Sequence, residues 1–153
     1  MTRADPNLVA GALIESYAAR GDYVDCFTAD VAVPATIDDL VEAFFNCRAF
    51  RPERLILKAL LGKTPLSPDW RLAPPGEERP SAAWFVEARA RDEILFCDFM
   101  RYTRCWLRCE RRGPQGVRIY FGTAFARRRN ASIAALNLFF ATVRPAHALY
   151  AKA

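Results

Sequence analysis

The chain has 153 residues, 52% hydrophobic and 25% charged, and 22 Lys and Arg against 17 Asp and Glu give it a net charge of +5. This is the composition of one globular domain, and it argues against a disordered or disulfide-dense chain. Five excess positive charges permit contact with nucleic acid or anionic lipid but do not argue for either.

Residues 1–21 read as an N-terminal helix or arm, with Leu8, Leu13, Ile14 and Tyr17 at helical intervals and Gly21 able to end the run. With Asp5 and Pro6 early and no uninterrupted apolar run of about 7–15 residues, no secretory signal is expected. No stretch of about 20 apolar residues follows, so no membrane span is expected and a cytoplasmic protein is the default expectation. From Tyr23 to Val33 apolar residues alternate through Phe27, Ala29, Val31 and Val33, the pattern of a half-buried strand that Pro34 ends. Thr36 predicts a helix cap with Asp39 as its partner, and Ile37, Leu40, Val41, Phe44 and Phe45 give that helix an apolar face. A second helix is predicted from Pro52, presenting Leu55, Ile56, Ala59 and Leu60 and ending at Gly62.

Residues 63–80 carry Pro65, Pro68, Pro74, Pro75 and Pro80. They read as a loop, either a mobile lid or a plain surface connection, in which Trp70 and Leu72 suggest a short edge strand. Strands are predicted at 82–90 and 93–98. A clearer hairpin joins 102–110 to 117–126 across a turn containing Gly113, Pro114 and Gly116. If symmetric about Gly113, it sets Thr103, Cys105, Leu107 and Cys109 against Thr123, Phe121, Ile119 and Val117 on an apolar inner face. Arg104, Trp106 and Arg108 then oppose Gly122, Tyr120 and Arg118 on an outer face of arginines and aromatics, with Arg108 against Arg118 a mild cost. The end of the chain predicts a long helix capped at Asn130 or Ser132. Ile133, Leu136, Phe140, Val143, His147 and Tyr150 form its stripe, and Pro145 kinks it.

The cysteines, Cys26, Cys47, Cys97, Cys105 and Cys109, are odd in number and form no Cys-x-x-Cys pair. Cys105 and Cys109 would lie about 13 Å apart along a strand, too far for a disulfide. Free, buried thiols are expected. With one histidine, no metal site is expected, and no cofactor motif is visible. His147 on the inward stripe suits proton transfer, and Asp25, Glu87 and Asp98 are the strand carboxylates able to assist it. A structural histidine and solvated or Arg-paired carboxylates account for the same residues. The outer face of Arg104, Trp106, Arg108, Arg118 and Tyr120 alternates charge and rings, as stacking platforms for single strands do. Arg packed on aromatics without any ligand is the favoured explanation, and nucleic acid is not the expected partner.

Three segments carry a family resemblance: Gly21-Asp22-Tyr23-Val24-Asp25-Cys26-Phe27, Asp92-Glu93-Ile94-Leu95-Phe96-Cys97-Asp98-Phe99, and Val143-Arg144-Pro145-Ala146-His147 with Leu149. The chain resembles the START-like (SRPBCC) helix-grip superfamily, and within it a bacterial domain family of unknown function. Ala146 departs from that pattern, standing where an aromatic is expected. The resemblance covers most of the chain from Asp22 onward and implies an α+β fold, with 1–153 read as a single START-like domain. A curved antiparallel sheet would wrap around the long C-terminal helix, with two short helices after the first strand. It implies no reaction.

The leading expectation is therefore binding of a small apolar molecule between the sheet and the last helix. Leu107, Ile119, Phe121, Leu136, Phe140 and Val143 would make apolar contacts, with His147 and Tyr150 as polar anchors. The same residues would also serve to fill a solid core. Two alternatives stay open. One is an enzyme of the cyclase or aromatase kind found in the superfamily, using His147 with a strand carboxylate. The other is a structural or interaction protein using the Arg/aromatic sheet face. Oligomeric state is not legible.

Overall fold

The computed structural model describes residues 2–4 and 10–126. Strand β1 (Thr2–Ala4) and helix α1 (Glu15–Ala19) precede strand β2 (Tyr23–Val31). Helix α2 (Ile37–Asn46) and a 3₁₀ turn (Arg48–Phe50) lead into helix α3 (Arg51–Leu61). Strands β3 (Trp84–Arg89), β4 (Glu93–Asp98), β5 (Thr103–Arg111) and β6 (Val117–Phe125) follow. The protein is thus α+β. Its strands form one antiparallel sheet in the order β1-β2-β6-β5-β4-β3, a meander of four strands whose last member returns to pair with β2.

Local chemistry accounts for the helix ends. The Thr36 hydroxyl accepts from the Asp39 N–H at 3.2 Å while the Asp39 carboxylate accepts from the Thr36 N–H at 2.8 Å, a full capping box at the start of α2. Pro52 lies in the first turn of α3, and Gly62 ends it in the left-handed conformation at φ 63°. Strand β2 stops at Val31, and Val33 is exposed rather than continuing the alternation. Trp70 and Leu72 form no edge strand: they lie in hydrogen-bonded turns, with Trp70 N–H on Ser67 C=O and Leu72 N–H on Asp69 C=O. The predicted C-terminal helix falls outside the described residues.

The hairpin keeps its predicted faces but not its predicted partners. Thr103 pairs with Phe125, Cys105 with Thr123, Leu107 with Phe121 and Cys109 with Ile119, two residues away from symmetry about Gly113. The five-residue loop 112–116 closes with Arg112 N–H on Gly116 C=O at 2.8 Å, which centres the turn on Pro114. Arg118 therefore faces Glu110 on β5 and Asp30 on β2, and the expected Arg108–Arg118 repulsion is absent because Arg108 faces Tyr120. The Arg118 Nε and Nη2 donate to the two Asp30 carboxylate oxygens at 2.7 and 2.8 Å.

Each sheet face has its own core. On one, α2 lays Ile37, Val41 and Phe45 over Val86, Ile94, Phe96, Leu107 and Phe121. On the other, residues 12–17 cover the sheet, with Ala12, Ile14 and Tyr17 packed on Cys26, Leu95, Trp106, Tyr120 and Ala124. This second face is the one expected to be an open Arg/aromatic surface. It is closed: Trp106 is fully buried, and Arg104 and Tyr120 are each only 9% exposed. The N-terminal segment supplies the apolar cover that strand patterning could not reveal.

All five cysteines are free, and only Cys47 is not buried. Burial pushes the Cys26 thiol up to about 11 and the Cys97 thiol up to about 12, and raises Cys109 as well. Thiolate is the reactive form. An aromatic disulfide reagent at mildly alkaline pH should therefore titrate one thiol quickly in the native protein, that of Cys47, and all five in urea. Fast reaction of two or more native thiols would contradict this packing.

Candidate functional site

Of the eight residues expected to line a ligand site, Leu107, Ile119 and Phe121 lie within the described residues. They share the α2 face of the sheet. Leu107 and Phe121 are cross-strand partners and are buried; Ile119 is half-buried. Phe44 of α2 closes over Phe121 with ring centroids 5.1 Å apart, and Phe27 lies 6.5 Å away on the neighbouring strand. At this point the sheet face is packed solid by α2. Leu136, Phe140, Val143, His147 and Tyr150 lie outside the described residues.

Open space lies at the other side of α2. A cleft of about 220 Å³ separates it from the Pro-rich segment. Val41, Phe45 and Trp70 contribute apolar walls; Glu42, Asn46, Arg54 and Ser67 bring polar atoms. Three remote stretches build it: the second half of α2, the first turn of α3, and residues 65–70. The Arg54 Nη1 donates to Asn46 Oδ1 at 3.0 Å and to the Phe45 carbonyl at 3.4 Å, which fixes the guanidinium beside the end of α2. The arrangement offers a small, partly apolar site with one cation, Arg54, and one carboxylate, Glu42, on its wall.

The Pro-rich segment, a candidate lid in the sequence, is latched here. Trp70 is buried against Phe96, and the guanidiniums of Arg71 and Arg89 stand 4.8 and 5.6 Å from its ring. Asp38 of α2 bridges the two arginines at 3.3 and 2.5 Å, and Glu42 meets Arg71 at 2.9 Å. Gly76 N–H also bonds the Val86 carbonyl at 2.7 Å, covering part of edge strand β3. Sequence reading missed Trp70, Arg54 and Glu42. The available signal was a large aromatic flanked by Asp69 and Arg71 within a polar, Pro-rich stretch.

The three strand carboxylates separate. Asp25 lies on the α2 face, buried, accepting from Thr123 N–H at 3.2 Å and from the Tyr23 hydroxyl at 3.4 Å. Asp98 ends β4 and accepts from Thr103 N–H at 2.8 Å across the following turn; burial raises its pKa, opposed by backbone donors. Glu87 lies on the opposite face. The pairing shifts between Val86 and Ala88 and leaves Glu87 unpaired; Glu87 follows Val86 onto the opposite face by ordinary alternation and meets Tyr17 and Arg104 there, and the bulge brings Ala88 onto that same face. The three therefore do not converge on one cavity.

Among the described residues no group of His, Cys, Asp and Glu is arranged to hold a metal ion, and no helix is long and apolar enough to cross a membrane. Comparison with protein-family models, curated proteins and solved structures produced no match to this chain.

Proposed function

We propose that this protein is a helix-grip, START-like domain that binds a small, largely apolar ligand rather than transforming it. The observation that carries the reading is the cleft of about 220 Å³ between α2 and the Pro-rich segment, walled by Val41, Phe45 and Trp70 with Arg54 beside them. It is smaller than the roughly 300–1,000 Å³ of drug-sized sites, so the ligand or the part of it held here is small. Arg54 favours a carboxylate or similar acceptor at the ligand's polar end. The strand order, with two helices after β2 and a four-strand meander returning to β2, supports the helix-grip reading. In that reading residues 133–150 extend the site across the sheet, with His147 and Tyr150 as its polar anchors. The tying of Asp25 and Asp98 to backbone N–H groups supports binding over acid–base chemistry.

Titration with phenylacetate and octanoate, followed by tryptophan fluorescence and thermal midpoint, tests this. Both acids should stabilise the protein and perturb Trp70. Arg54→Ala should weaken them about tenfold, the value of one charge-assisted hydrogen bond, and leave the corresponding alcohols unaffected. Equal binding of acids by the variant would remove Arg54 from the site. No response to either compound, with a bare protein mass in native mass spectrometry, would sink the reading.

A further inference from the structure

Helix α3 is turned inside out. Of its large aliphatic residues only Leu57 is buried; Leu55, Ile56, Leu60 and Leu61 are 70, 56, 77 and 50% exposed. At 100° per residue, Leu55, Ile56, Ala59 and Leu60 fall in one arc, with Ala59 nearly opposite Leu57. The apolar face that the sequence presents on this helix is thus aimed away from the body. A contiguous apolar surface of this kind marks an interaction site.

Charge selects the occupant. Residues 48–58 hold Arg48, Arg51, Arg54 and Lys58 against one acid, Glu53. Arg48, Arg51 and Lys58 are exposed, and Arg51 and Lys58 flank the aliphatic arc on one side. A second copy of the chain would bring the same basic rim against itself. The chain's own residues 127–153 contain Arg127, Arg128, Arg129, Arg144 and Lys152 and no acidic residue, so they too are like-charged. The side chains protrude from a convex helix, a shape that inserts into a soft surface. We propose that α3 is a membrane-surface contact: Leu55, Ile56 and Leu60 enter the headgroup boundary of an anionic phospholipid bilayer while Arg51 and Lys58 meet its phosphates. The helix lies in the plane of the interface. This inference does not rest on the ligand reading above.

The test is co-sedimentation of the full chain with vesicles of phosphatidylcholine alone and of phosphatidylcholine mixed with phosphatidylglycerol. Binding is expected only to the anionic vesicles, and should weaken at about 1 M salt, where charges are screened within ~3 Å. Leu55→Gln with Leu60→Gln should weaken it about tenfold or more. Arg51→Gln with Lys58→Gln should weaken it about fivefold per charge. All four residues are exposed, and an unchanged thermal midpoint checks that the variants fold. The proposal is overturned if the wild type does not sediment with anionic vesicles, or if both variants sediment as the wild type does. It is also overturned if the wild type is a dimer in sedimentation equilibrium that Leu55→Gln with Leu60→Gln dissociates, which would assign the face to a second copy.

Discussion

Replacing Arg104 with alanine should destabilise the fold by about 2–4 kcal/mol, read as a fall in the urea midpoint at unchanged slope. Arg104 stands on β5 beneath the N-terminal segment and ties two remote parts of the chain, at Tyr17 and Glu87, to the turn just before its own strand. Its Nε donates to Glu87 at 2.5 Å and to the Tyr17 hydroxyl at 2.7 Å, and its Nη1 donates to the Arg101 carbonyl at 2.8 Å. Tyr17 in turn donates to Glu87. Burial opposes the Arg104 charge, but the surrounding negative groups outweigh it and its pKa lies above the ordinary value. Cys97 is a neutral thiol at neutral pH, so Glu87 carries the compensating charge. Removing the guanidinium leaves that carboxylate with the Tyr17 hydroxyl as its remaining partner in this cluster. The Glu87 side chain is 28% exposed, which admits some water and keeps the loss at the lower part of the range for buried pairs. Removing both charges as Arg104→Met with Glu87→Leu should recover much of the loss, since well-packed apolar replacements of buried pairs often do. A single variant within about 0.5 kcal/mol of wild type would show that the cluster contributes nothing.

The same cluster has an alkaline signature. Burial, then donation to Glu87, raises the Tyr17 pKa above its ordinary value. A group whose folded pKa is raised contributes stability below its unfolded pKa, about 10 for tyrosine, and loses it as pH rises toward the folded value. Wild type should lose stability through that window more steeply than Tyr17→Phe does.

Strand alternation reveals faces and not partners, because the side-chain period is two residues. The predicted hairpin therefore had every inward residue right and every pairing wrong by two, and only the loop closure by Arg112 and Gly116 decides between the registers. The bulge at Glu87 defeats alternation in a different way: one extra residue moves Ala88 onto the face of Leu95, and nothing in Val86-Glu87-Ala88 announces it. Helical spacing identified α3 and its aliphatic arc, but not that Leu57 alone would turn inward, since burial depends on what lies nearby in space. Capping residues were read correctly at Thr36 and Gly62 because caps are local. The cleft was illegible for the opposite reason. Its walls come from α2, α3 and residues 65–70, and no short window contains them.

The N-terminal segment is the other non-local feature, and Trp106→Ala should expose how far the fold depends on it, at a cost of about 3–5 kcal/mol. Trp106 has no exposed surface, and its Nε1 donates to Glu93 Oε2 at 2.6 Å. The same oxygen accepts from Leu13 N–H at 3.1 Å, so the indole and the N-terminal segment share one buried carboxylate. Alanine would open a cavity beneath Ile14 and leave Glu93 with fewer donors, and both effects loosen residues 10–22. Proteolysis within that stretch and fast exchange of the Leu13 amide should accompany the fall in midpoint. Gly122→Ala reaches the same contact from the opposite direction. Its Cβ would stand 2.8 Å from Trp106 Cε3, 3.0 Å from Ile14 Cδ1 and 3.1 Å from the Asp25 carbonyl: a buried ring, the end of a fully buried side chain and backbone. Overpacking of this kind costs about 1–3 kcal/mol. Because Trp106 and Ile14 are in contact with the same glycine, the two substitutions should not be additive: in the Trp106→Ala background the tightest contact of the Gly122→Ala methyl is gone and its further cost is smaller, with the Asp25 carbonyl still close. Additive losses, or a Trp106→Ala variant whose first 22 residues resist protease as wild type does, would mean that the segment is held by something other than this contact.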